Sequence, residues 1–114
     1  MAVDQIALLI QEMRVKEGSA FTAVANFRTR ATAAASTPTT VHYRIDCLTT
    51  GIEVAGWTSV SPVSSVSIPV TAMHNAIQGS SDEVKQLTVV ADRGLASQYV
   101  ETACWSVENL FGSP

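Results

Sequence analysis

At 114 residues the chain has the length of one domain with one core. Charged residues supply only 15% of it and hydrophobic residues 46%, whereas a typical soluble domain is about 25% charged. A net charge of −3 and a pI near 5.2, with only Lys16, Lys85 and five arginines as cations, argue against nucleic acid as a partner.

The first seventeen residues carry Ile6, Leu9, Ile10 and Met13 at helical spacing, and also Leu8, Ile10 and the run Met13–Glu17 that suits a strand ending at Gly18. A strand or extended arm is the preferred reading. From Phe21 the chain alternates, with Phe21, Ala23, Ala25 and Phe27 on one face and Thr22, Val24, Asn26 and Arg28 on the other. After a small polar stretch from Ala31 to Thr40, Val41, Tyr43, Ile45 and Cys47 alternate with His42, Arg44 and Asp46. Thr49-Thr50-Gly51 reads as a tight hairpin turn returning through Ile52, Val54 and Trp57.

Val66, Ile68 and Val70 form the next alternating face. Pro69 within it marks an edge strand or a bulge, because proline gives no donor to a ladder. Thr71 to Gln78 holds helix formers with Met73 and Ile77 one turn apart, and predicts a short helical crossover. Leu87, Val89 and Ala91 then alternate with Gln86, Thr88 and Val90. Finally Tyr99, Ala103, Trp105 and Val107 share a face, with Glu101 as the odd member. The segments are rich in β-branched and aromatic residues. The expected fold is all-β: an Ig-like β-sandwich of about seven strands with one helical crossover near residues 71–78. Residues 1–18 would be an N-terminal strand or arm, 19–110 the sandwich and 111–114 a tail.

Site chemistry is sparse. His42 lies on the polar face of its strand beside Arg44, and His74 suits a surface or capping role. Neither has Cys, Asp or Glu at ligand spacing, so no metal site is expected. There is no Gly-x-Ser-x-Gly elbow, phosphate loop or calcium-loop spacing, and the ten carboxylates are spread singly. Neither catalytic residues nor a cofactor are expected. Cys47 is phased with the core and Cys104 against it, so a bridge requires a bulge between Tyr99 and Trp105; separate thiols suit synthesis in a reducing cytoplasm. Trp57 suits a cap on one end of the core, and Trp105 a core position. No apolar run reaches eighteen residues, so no membrane span is expected, and Met-Ala-Val-Asp-Gln lacks the basic region of a secretory signal.

The run Val41-His42-Tyr43-Arg44-Ile45-Asp46-Cys47-Leu48-Thr49-Thr50-Gly51, followed by Val54 and Trp57-Thr58-Ser59-Val60, resembles the paired central strands of an Ig-like or fibronectin-III-like module. Ser64–Val70, Gln86–Gly94 and Trp105–Leu110 continue that pattern. Over residues 20 to 110 the chain resembles the small Ig-like structural proteins of tailed bacteriophages, although the usual inter-sheet disulfide and tyrosine corner are not evident. The resemblance implies a non-enzymatic virion component made in the host cytoplasm: a capsid decoration (cement) protein, or a head–tail or tail-associated subunit. Its partners would be other virion proteins, with the chain in many copies on a lattice or as a homo-oligomer, joined through edge strands, loops and terminal arms. Val3, Ile6, Leu8, Ile10 and Met13 near the start, with Leu110 and Phe111 near the end, are the candidate interface; the competing expectation is that both ends complete the domain's own core. The alternative function is an Ig-like carbohydrate- or receptor-binding module on a phage fibre, which requires exposed aromatics near acidic or amide groups.

Overall fold

The computed structural model describes residues 3–10 and 13–110, and every regular element within them is a strand. In chain order these are β1 (Gln5–Leu9), β2 (Arg14–Lys16), β3 (Phe21–Arg28), β4 (Val41–Cys47), β5 (Glu53–Val60), β6 (Ser65–Val70), β7 (Glu83–Ala91) and β8 (Tyr99–Glu108). They form a three-stranded sheet, β1-β3-β6, and a five-stranded sheet, β2-β8-β7-β4-β5. All pairs are antiparallel except β2 with β8.

The two-residue periodicity sets the inner faces. In β4, Val41, Tyr43, Ile45 and Cys47 are buried while His42, Arg44 and Asp46 stand half-buried on the outside. In β6, Val66, Ile68 and Val70 are buried between exposed Ser65, Ser67 and Pro69. Phe27, Ile45, Ile68, Leu87, Val89 and Trp105 form the centre of the core between the sheets. β6 is an edge strand, one of the two outcomes that Pro69 left open. The turn after β4 closes with Gly51 at φ 74°, and its N–H donates to the Cys47 carbonyl at 2.9 Å.

The N-terminal stretch is extended, and it divides. Ile6 pairs with Phe27 in the three-stranded sheet, whereas Val15 pairs with Val107 in the five-stranded one. The described residues thus form eight strands, one more than the seven or so expected.

The crossover at residues 71–78 is not a helix. His74, Asn75 and Ala76 donate to the carbonyls three residues back, of Thr71, Ala72 and Met73. The run stops there because the next backbone groups have other partners: the Gln78 and Gly79 N–H groups donate to the Glu83 carboxylate, at 2.9 and 2.6 Å to Oε2. A segment this short gains too few helical bonds to offset the cost of nucleation.

Trp57 does not cap the core. It lies on the outer side of β5, 39% exposed. Both cysteines are free thiols. Cys47 faces inward opposite Lys85, and Cys104 faces the other way opposite Gln86 on the same sheet, so neither spans the sandwich.

Candidate functional site

Two polar constellations stand out, one sealed inside and one on the surface. The inner one begins on β7, where Glu83 and Lys85 continue the inward phase of Leu87 and are 1% and 0% exposed. Lys85 Nζ donates to Glu83 Oε1 at 2.9 Å and to the Ala76 carbonyl at 3.0 Å. The Glu83 carboxylate also accepts from the Gln78 and Gly79 backbone and, at 3.5 Å, from the Cys47 thiol. Beside this pair the Trp105 indole N–H donates to Asn75 Oδ1 at 2.7 Å, and Asn75 Nδ2 donates to the Ser19 carbonyl at 2.8 Å. Together these bonds pin the crossover beneath the sheets.

Although Cys47, Glu83 and Lys85 are in contact, all three are sealed from solvent, so their arrangement reads as a structural anchor. Burial pushes the Glu83 carboxyl up. The hydrogen bonds from Gln78, Lys85 and Gly79, with the Lys85 charge, outweigh it, so the group sits below its ordinary pKa.

The surface constellation starts from Asp92, buried at 3% and held at φ 56°. Its carboxylate accepts from the Thr39 N–H at 2.6 Å, the Thr40 N–H at 3.3 Å and the Ser97 hydroxyl at 2.8 Å. The Asp92 N–H donates back to the Thr40 carbonyl at 2.9 Å. Asp92 therefore ties the β7–β8 loop to the β3–β4 loop. Burial raises its carboxyl, but these bonds prevail and it too lies below its ordinary pKa.

Arg93, the next residue, projects over the Trp57 ring with its guanidinium carbon 4.2 Å from the ring centroid. Arg44 stands 5.4 Å from the same centroid and donates twice to Asp46, at 2.9 and 2.6 Å. That pairing, chiefly through its hydrogen bonds, raises the Arg44 pKa. Among the described residues, no carboxylate lies within ion-pairing distance of Arg93. On the same outer face His42, opposite Ser59 and Val90, keeps a buried Nδ1 without a hydrogen-bond partner.

His74 takes the capping role, its Nδ1 accepting the Thr71 N–H at 3.0 Å; burial lowers its pKa and favours the neutral acceptor form. Among the described residues, no three His, Cys, Asp or Glu side chains group as a metal site, and no helix is long and apolar enough to cross a membrane.

The terminal candidates are dispersed by the fold. Val3 and Ile6 are core residues at 2% and 4% exposure, and Leu8 and Ile10 pack half-buried against that core. Ile10 also lines a shallow recess of about 530 Å³ with Leu9, Phe21, Thr22 and Val24. Met13 and Leu110 are exposed, and Phe111 lies outside the described residues. A second recess, about 450 Å³, opens between Arg14, Lys16, Phe21 and Glu108.

Two expected results follow. Asp92→Ala should cost about 2 kcal/mol or more, since several hydrogen bonds to a buried charge are lost together, and thermal unfolding would measure it. Because Asp92 and Glu83 have depressed pKa values in the folded chain, their contributions are complete above the ordinary carboxylate range and vanish as pH falls through the lower folded values. The urea midpoint should hold from pH 7 to about 5 and drop below about pH 4. A midpoint unchanged at pH 3 would contradict that account.

Comparison of the chain with family models, with curated proteins and with solved structures gave no match.

Proposed function

We propose that this chain is a non-enzymatic structural subunit of a tailed-phage particle, a capsid decoration protein or a head–tail or tail-associated component, acting through protein–protein contacts. The observation that carries the reading is where the chemistry lies. The contacting acid, amine and thiol are sealed in the interior as an anchor, while Leu48, Ile52, Trp57, Met73 and Leu95 are exposed on a weakly charged surface. The strand order, with the first, third and sixth strands in one sheet and the N-terminal stretch shared between both, supports an Ig-like arrangement.

The contacts of such a subunit would run chiefly through side chains rather than added strands, because three of the four edge strands, β6, β5 and β2, are blunted. The Phe27 N–H donates to the Ser64 carbonyl, so the pairing phase turns Ser65, Ser67 and Pro69 toward the open side of β6, and proline removes one donor there. β5 carries register shifts against β4. β2 is three residues long and presents Arg14 and Lys16.

Mass spectrometry of purified particles should find the chain in many copies. Its absence from intact particles would sink the proposal. The alternative, a carbohydrate- or receptor-binding module, draws support from Trp57, exposed near Asp46, and predicts binding of the isolated chain on a glycan array. Against it, two guanidinium groups already stand over the indole ring that a sugar would need.

A further inference from the structure

Arg93 combines three properties that seldom occur together on a surface. It is exposed, it has no carboxylate partner among the described residues, and it is held in place. The restraint comes from both sides. Asp92, the residue before it, is fixed by five hydrogen bonds, one of them the Leu95 N–H donating to the Asp92 carbonyl at 3.0 Å across Arg93, and the Gly94 N–H, in a turn with φ 81°, donates to Gln98 Oε1 at 2.8 Å. The Arg93 guanidinium carbon then rests 4.2 Å from the Trp57 ring centroid, and among the described residues no hydrogen bond takes up its N–H donors. Exposed arginines usually lose much side-chain freedom on binding, and one that already rests on an aromatic ring has less to lose.

We infer that Arg93, braced on Trp57, is a docking point for a carboxylate of a protein partner, an Asp or Glu side chain on an acidic surface segment. A planar fork matches a carboxylate in two parallel hydrogen bonds, and a tryptophan–arginine pair is the composition of an interface hot spot. An acidic sugar would bring the same carboxylate, but it would also need an indole face to stack on, and Arg93 and Arg44 stand over that ring. Arg44 contributes bracing rather than binding, since both of its donated bonds go to Asp46.

The inference rests on reading the chain as a protein-contact subunit, and its test works on the isolated chain, so the two can fail separately. Titration with a hexaglutamate peptide at low salt should shift the Arg93 Nε–H resonance and the Trp57 emission in a saturable way. A hexaglutamine peptide should not. Arg93→Ala should weaken hexaglutamate binding about tenfold or more, and Arg93→Lys should recover only part of it, because an ammonium lacks the fork. Arg14→Ala, at the opposite end of the sandwich and already paired with Asp82, should leave it unchanged. An unchanged thermal midpoint in the Arg93 variants would show that folding is intact. No saturable shift with hexaglutamate, an equal response to hexaglutamine, or tighter binding of a glucuronate oligosaccharide at Trp57 would each overturn the inference. Hexaglutamate binding by a chain absent from particles would remove the virion role and leave this site standing; presence in particles without such binding would do the reverse.

Discussion

Glu83→Ala should destabilise the fold by about 3–5 kcal/mol, the cost of leaving one partner of a buried ion pair behind. Lys85, with no exposed surface, would keep its charge in the core with only the Ala76 carbonyl as acceptor, and the Gln78 and Gly79 N–H groups would lose theirs. Against a total stability of about 5–15 kcal/mol for a domain, that is a large share. Chemical denaturation would show a much lower midpoint, and the crossover at residues 71–82 should exchange its amide hydrogens early. The double variant Glu83→Leu with Lys85→Met should recover a substantial part of the loss, since apolar residues of similar volume often replace a buried pair at little cost. The backbone donors of Gln78 and Gly79 would still lack their acceptor, so recovery should be incomplete. A double variant no more stable than Glu83→Ala alone would mean that the carboxylate's hold on those donors, rather than the unpaired charge, sets the penalty.

Trp105→Ala should be of similar size, about 3–5 kcal/mol, as expected for an aromatic side chain removed from a packed core. Trp105 is 1% exposed and meets Phe21 edge-to-face, with ring centroids 5.2 Å apart and planes at 89°. Trp105→Phe separates the two parts of its role. It keeps an aromatic ring near Phe21 but leaves Asn75 Oδ1 without its donor in a fully buried site, which should cost about 1–3 kcal/mol. Asn75→Ala should cost at least as much, because the Ser19 carbonyl then loses its partner as well. Combining Trp105→Phe with Asn75→Ala should cost less than the sum of the two, with a coupling of about 0.5–3 kcal/mol measured from unfolding midpoints. Strict additivity would show that the indole–amide bond contributes nothing beyond packing.

Much of the anchor was within reach of simple alternation. Leu87, Val89 and Ala91 define the inner phase of β7, and stepping back by two reaches Lys85 and then Glu83. A strand read from Gln86 onward stops short of both, since two charged residues at its start look like a solvated end. Asn75 offered no such signal. Its burial depends on Trp105, thirty positions away, and on Ser19, fifty-six positions away. The surface contact was legible only in part: the hairpin at Gly51 puts Arg44 and Trp57 on neighbouring strands, but Arg93 reaches them only because the sheet order sets β7 beside β4.

The local pattern by itself determined the inner faces of β3, β4, β6, β7 and β8 and the turn at Gly51: a period of two with β-branched residues specifies which side of a pleat is dry, and Pro69 specifies a strand whose pairing ends or bulges. The tertiary structure decided what local pattern leaves degenerate. It placed Ile6 in one sheet and Val15 in the other, because each pairs with a different partner strand. It kept residues 71–78 from becoming a helix, because Glu83 takes the N–H groups of Gln78 and Gly79. It also placed a charged pair inside and a tryptophan outside, the reverse of what their polarity alone suggests. Burial depends on which partners the whole fold supplies: Glu83 and Lys85 satisfy each other in the interior, while Trp57 packs against two guanidinium groups at the surface.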